Sequence, residues 1–151
     1  MACAAAVALA AAVATPAEAA KTTKPVPGAW KVVPLFDMTS GGGLTVTKTS
    51  VRGIRVTPGE RASTGCGTQT VSVKGTFRLR KATRGGFTSW IVGRAAPATS
   101  DGVKTIAVKV TRGAERLDGA MKLIFSYDNR RTGSGELTFG DCTVEFDLRK
   151  R

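Results

Sequence analysis

Apolar and polar residues alternate along most of this chain. Val71, Val73, Gly75, Phe77 and Leu79 share one parity, and Ser72, Lys74, Thr76, Arg78 and Arg80 share the other. A period of two sends successive side chains to opposite faces, so this stretch predicts a half-buried antiparallel strand with its cations outward. The same period recurs at Ile106, Val108 and Val110, at Leu117, Gly119, Met121, Leu123, Phe125 and Tyr127, and at Val144, Phe146 and Leu148. Weaker strand signals cover residues 30–36, 44–48, 51–56 and 87–92. Turn chemistry separates them at 40–43, 57–59, 84–86, 100–102, 112–113 and 128–135, where Gly, Pro, Ser and Asp cluster. Past the first 20 residues no window sustains a 3.6 period with caps. About eight short strands spaced by turns predict an all-β fold, an antiparallel sandwich or barrel.

The first 20 residues follow a different rule. Ala2 to Ala14 carry no charge and are almost all small or apolar, Pro16 breaks the run, and Ala17, Glu18 and Ala19 supply a small-x-small site. This predicts a secretory signal peptide over residues 1–20. Its apolar run of 13 residues falls short of the roughly 20 that span a bilayer as a helix. No Lys or Arg precedes that run, so either the amino terminus alone supplies the positive end or the true start lies upstream. Cys3 lacks the lead of a lipoprotein box, so no lipidation is expected. Residues 21–28, with Pro25 and Pro27, predict an extended leader, and 29–151 a single all-β domain of ordinary size.

Export changes the meaning of the cysteines. Without Cys3 two remain, Cys66 and Cys142, 76 positions apart. In an oxidising compartment two such cysteines form a disulfide that ties the early strands to the last one. Two thiols without a histidine make only half a zinc site.

Charge narrows the chemistry further. The 151 residues hold 23 Lys and Arg against 11 Asp and Glu, a formal net charge of +12, and no histidine. Lack of histidine excludes Ser-His-Asp and Cys-His catalysis and nearly all catalytic zinc geometries. Cleavage after residue 19 or 20 removes only Glu18 among charged residues, leaving +13 (23 against 10). Asp141, Glu145 and Asp147 crowd the last strand, so the rest of the domain is more basic than the total suggests. Lys74, Arg78 and Arg80 share a strand face, Arg84 follows in a turn, and Lys109, Arg112, Arg116 and Lys122 fall on strands that could neighbour it. Together they would attract polyanions such as nucleic acid, wall polymers or anionic head groups. The alternative is a solvated sheet face whose long cations deter edge-to-edge pairing. Base stacking wants aromatics beside the cations, and Phe77 points away from Lys74 and Arg78.

Other candidates are weaker. Glu145 and Asp147, two apart on a strand and about 7 Å between Cα atoms, have a separation admissible for a glycosidase pair. Outward acids facing cations across the sheet explain them better. Adding Asp141 lacks calcium-loop spacing. Trp30 and Trp90 could be aromatic platforms for a sugar ring, or core residues of a small domain that needs large side chains. Gly41, Gly42 and Gly43 precede a strand rather than a helix and make no nucleotide loop. No cofactor, metal or catalytic residue is expected.

The chain order brings a resemblance. Trp30 follows Gly28, and a Gly-rich segment precedes Leu44 and Val46. Cys66 comes next, then strands through Gly75 to Phe77 and through Ile106 to Val110. Arg116 to Gly119 lead into a long strand, with Cys142 and a terminal strand through Phe146 at the end. Over residues 28–148 this resembles a broad group of small exported two-cysteine β-rich proteins of high-GC bacteria. The resemblance implies a two-cysteine β-sandwich and export, and carries over no catalytic residues. The expected function is therefore non-enzymatic: a secreted or cell-envelope protein binding an anionic envelope polymer through a basic face. The alternatives are a carbohydrate-binding module, or a protein-interaction module of inhibitor type presenting the loop 128–135 to an extracellular protein.

Overall fold

The computed structural model describes residues 24–62, 64–84, 87–94, 103–126 and 130–151. The expected signal peptide, the turn at 100–102, residues 85–86 and residues 127–129 lie outside the described residues. Among the described residues nine strands form: β1 (Gly28–Val33), β2 (Thr39–Val46), β3 (Ser50–Pro58), β4 (Val71–Arg84), β5 (Phe87–Val92), β6 (Ile106–Arg112), β7 (Glu115–Phe125), β8 (Thr132–Phe139) and β9 (Cys142–Lys150). A single 3-10 turn, Thr64–Cys66, lies between β3 and β4. No described helix is long and apolar enough to cross a membrane.

All pairings are antiparallel, and the sheet closes on itself, because β9 returns to β1 while β3 pairs with β4 and β4 in turn reaches β7 through β5 and β6. The expected all-β antiparallel fold thus takes its barrel form. Strands β5 and β6 share one position in the wall. The far half of the 14-residue β4 pairs with β5 and its near half with β6. On the other side Val92 lies opposite Leu123, and Ile106 opposite Met121. β5 therefore ends and β6 begins on the same stave, with Arg94 and Lys104 bridged to each other.

Alternation produces the core. Trp30, Val32, Leu44, Val46, Val73, Val110, Met121, Leu123, Phe125, Val144, Phe146 and Leu148 point inward and form one buried cluster with the inward residues of the other strands. Trp30 meets Phe125 edge-on, with ring centroids 5.1 Å apart, a geometry worth about 0.5–1.5 kcal/mol beyond area burial. Cys66 and Cys142 are disulfide-bonded as expected, with Cα atoms 4.6 Å apart.

Each end of the barrel has its own closure. At one end the leader crosses the mouth: Val26 N–H donates to the Arg130 carbonyl at 3.0 Å, Arg130 Nε to the Lys24 carbonyl at 2.9 Å, and Trp30 Nε1 to the Val26 carbonyl at 2.9 Å. At the other, Arg112 donates to the carbonyls of Gly65 and Cys66, forks onto Glu115 and lies over the Phe139 ring. Arg112 is thereby a fastener of the disulfide segment rather than part of a free basic surface.

Three turn expectations are corrected. Residues 40–43 belong to β2, where Gly42 adopts φ 138° and a Cβ there would stand 2.1 Å from the Arg55 carbonyl oxygen. Gly42 and Gly43 serve close strand packing beside a register shift. Thr57 and Pro58 continue β3. Residues 132–135 open β8, because Gly133 and Gly135 face inward and the Phe125 and Phe146 rings occupy the space their side chains would take.

Candidate functional site

The outer wall is where charge accumulates. Strands β1 to β6 contain no Asp or Glu at all, whereas β7, β8 and β9 hold Glu115, Asp118, Glu136, Glu145 and Asp147. Because consecutive strands are neighbours, this division becomes spatial: one side of the barrel is purely basic, the other mixed.

Lys74, Arg78 and Arg80 do lie together on the outer face of β4 and are exposed. Lys109 stands directly opposite Lys74 on β6, but its ammonium is engaged by Asp118. Arg84 ends β4, and its side chain is outside the described residues. Arg116 and Lys122 project from β7, the latter bridged to Glu136 at 3.0 Å. An open groove of about 400 Å³ runs beside Lys74, Lys109, Arg116 and Asp118.

Two cations absent from that expectation complete the cluster. Arg52 of β3 lies opposite Thr76, and Arg55 opposite Ser72. These registers place Arg52 diagonally beside Lys74 and Arg78, and Arg55 beside Lys74, within reach of long side chains. Arg78 faces Ser50, and Arg52 also faces Thr45 on β2. Guanidinium and ammonium groups thus alternate with hydroxyls, both suited to anionic oxygens. Among the described residues, Arg52, Arg55, Lys74, Arg78 and Arg80 have no carboxylate at salt-bridge distance. Arg52 and Arg55 escape a period-two reading because they are three apart. A bulge at Gly53, with φ 63° and a register break beside it, turns both outward while Val51, Ile54 and Val56 stay in the core.

The two tryptophans differ in exposure. Trp30 is 1% exposed, holds the leader through its indole N–H, and is corrected to a core residue. Trp90 also faces inward, opposite Phe125 and near the mouth. Its ring carries the Lys24 ammonium 5.0 Å from the centroid, and its Nε1 is buried without a hydrogen-bond partner. Trp90 is thus half-buried against the core, with Lys24 of the leader over its ring. The acidic pair is corrected in detail too. Glu145 and Asp147 face outward on β9, but opposite Glu136 and Ser134 rather than cations. Of the loop 128–135, residues 128–129 lie outside the described residues and 132–135 are strand. No group of three metal-ligating side chains occurs among the described residues.

Compared with known proteins, the chain matches no family model, no curated protein and no solved structure.

Proposed function

We propose that this is a non-enzymatic exported protein that binds an anionic polymer of the cell envelope through the basic side of its barrel. The observation that carries the reading is the absence of any carboxylate from six consecutive strands whose outer faces present Arg52, Arg55, Lys74, Arg78 and Arg80. Closure of the sheet supports it further. A barrel has no open edges to protect, so deterring edge-to-edge pairing does not account for these cations. Crowding five exposed, uncompensated like charges beside one another costs folding free energy through self-repulsion, which a polyanion would relieve. The disulfide is compatible with an oxidising location. A channel for base stacking is missing, since the wall interleaves cations with Ser and Thr rather than aromatics.

The test is binding to immobilised heparin or polyphosphate as salt is raised. Five contacts predict that affinity falls about a hundredfold between 50 and 200 mM salt. The triple reversal Arg52→Glu, Arg55→Glu and Lys74→Glu is expected to abolish retention, while Lys122→Glu on the mixed side leaves it nearly intact. Failure of the wild-type protein to bind any polyanion at low salt refutes the proposal.

A further inference from the structure

The strand registers contain an order that no single strand shows. Arg149 of β9 lies opposite Lys31 of β1, Lys31 opposite Gly43 of β2, Gly43 opposite Arg55 of β3, and Arg55 opposite Ser72 of β4. These five positions form one row along the hydrogen-bonding direction, across rather than along the strands. Arg149, Lys31 and Arg55 are exposed. Gly43 leaves a gap between Lys31 and Arg55, and the Arg151 guanidinium lies over it, with Nη2 3.9 Å from where a Cβ would sit. The chain end is held there by its backbone, because Arg151 N–H donates to the Ala29 carbonyl at 3.2 Å. Four cations therefore follow one another around the barrel. The row contains no side-chain carboxylate, and Asp147, two residues from Arg149 on the same strand, marks its boundary.

Four strand-to-strand steps of about 4.8 Å carry the row over about 19 Å of curved surface. Its shape selects among polyanions. Double-stranded DNA has a persistence length of about 500 Å and would touch such a curve only at a tangent. A single nucleic-acid strand could follow it, but the row offers no ring on which a base could stack. A flexible chain of phosphate or sulfate esters meets both conditions. We infer that such a chain wraps the barrel across β9, β1, β2, β3 and β4 along the row Arg149, Lys31, Gly43, Arg55 and Ser72, with Arg151 closing the gap above Gly43. This rests on the polyanion reading above and adds the path and the polymer class.

Path and reading can be tested separately with long-chain linear polyphosphate, tripolyphosphate and a short DNA duplex as probes, in fluorescence titrations of the full chain at low salt. Wrapping across the strands predicts that Lys31→Glu and Arg149→Glu each weaken long-chain polyphosphate on the order of tenfold. Each should also lower the salt slope by about 0.7, while Lys122→Glu, off the row and paired with Glu136 on the mixed side, has little effect. Lys31, Arg149 and Arg80 are exposed, and far-ultraviolet circular dichroism verifies that each variant keeps its sheet. Tripolyphosphate and duplex should bind much more weakly than the long chain. A dominant loss in Arg80→Glu with Lys31→Glu unchanged overturns the row in favour of a path along β4, leaving the basic wall standing. Equal affinity for tripolyphosphate and long-chain polyphosphate overturns wrapping in the same way. No binding of long-chain polyphosphate by the wild-type chain at low salt overturns both the row and the reading beneath it.

Discussion

Reducing the Cys66–Cys142 disulfide is the perturbation whose size follows most directly from the fold. The bond closes a loop of 76 positions. Constraining the unfolded chain over that length stabilises the folded state by about 4.5 kcal/mol on the chain-entropy model, a large share of the 5–15 kcal/mol typical of a whole domain. At about 3–4 °C per kcal/mol for a domain of this size, the melting temperature should fall about 13–18 °C. Both sulfurs are fully buried, so replacing the cysteines would add a cavity cost to the entropic one. Reduced wild-type protein, kept reduced throughout, avoids that confusion. Urea unfolding followed by tryptophan fluorescence should show a lower midpoint together with a steeper slope, because the unlinked unfolded chain exposes more surface. A reduced protein that melts within about 2 °C of the oxidised form, with an unchanged slope, would refute the reasoning. It would mean that the disulfide merely decorates an end already held by Arg112 and its contacts to the Gly65 and Cys66 carbonyls.

Two further outcomes are expected. Gly135→Ala should cost about 1–3 kcal/mol in urea unfolding, since its Cβ would stand 2.4 Å from the Phe146 ring and 2.6 Å from Leu123, whereas Gly41→Ala, with nothing within 4 Å, should be nearly neutral. Asp118→Asn frees the Lys109 ammonium from an exposed pair, so stability should change by less than about 1 kcal/mol while retention on heparin shifts to higher salt.

The strands that sequence pattern reveals best are those whose inner and outer residues differ in kind. In β4 and β9 an apolar residue alternates with a polar one over at least five positions, in β6 and β7 Ala107, Ala120 and Ile124 interrupt the polar side, and each strand forms near its expected place. In β8 the signal fails because its first inward positions are Gly133 and Gly135. Their inwardness is visible only from the partner rings that fill the space. In β2 Gly42 and Gly43, which resemble a turn, are demanded by close backbone approach to β3 and β1, a requirement set by strands elsewhere in the chain. The fate of Trp90 was hidden for the same reason. Its strand reads as inward or outward with equal ease, and what decides is Phe125 on one side and Lys24 of the leader above it.

Charge behaves differently, because here the useful signal lies in what is missing. The cations of the proposed row sit at positions 31, 55, 149 and 151, spaced too irregularly for any periodic pattern, and only barrel closure makes the last strand a neighbour of the first. The distribution of carboxylates, however, is legible. Residues 21–114 carry 16 Lys and Arg against three carboxylates, and residues 115–151 carry seven of each. The whole net charge of residues 21–151 therefore resides in residues 21–27, β1 to β6 and their connections. In a meander that closes on itself, a division along the sequence becomes a division around the wall. If the excess positive charge served solubility alone, nothing would require it to collect on one side, where mutual repulsion is greatest. Its concentration there, interleaved with hydroxyls and unrelieved by carboxylates, is the arrangement expected of a surface that meets many anionic oxygens at once.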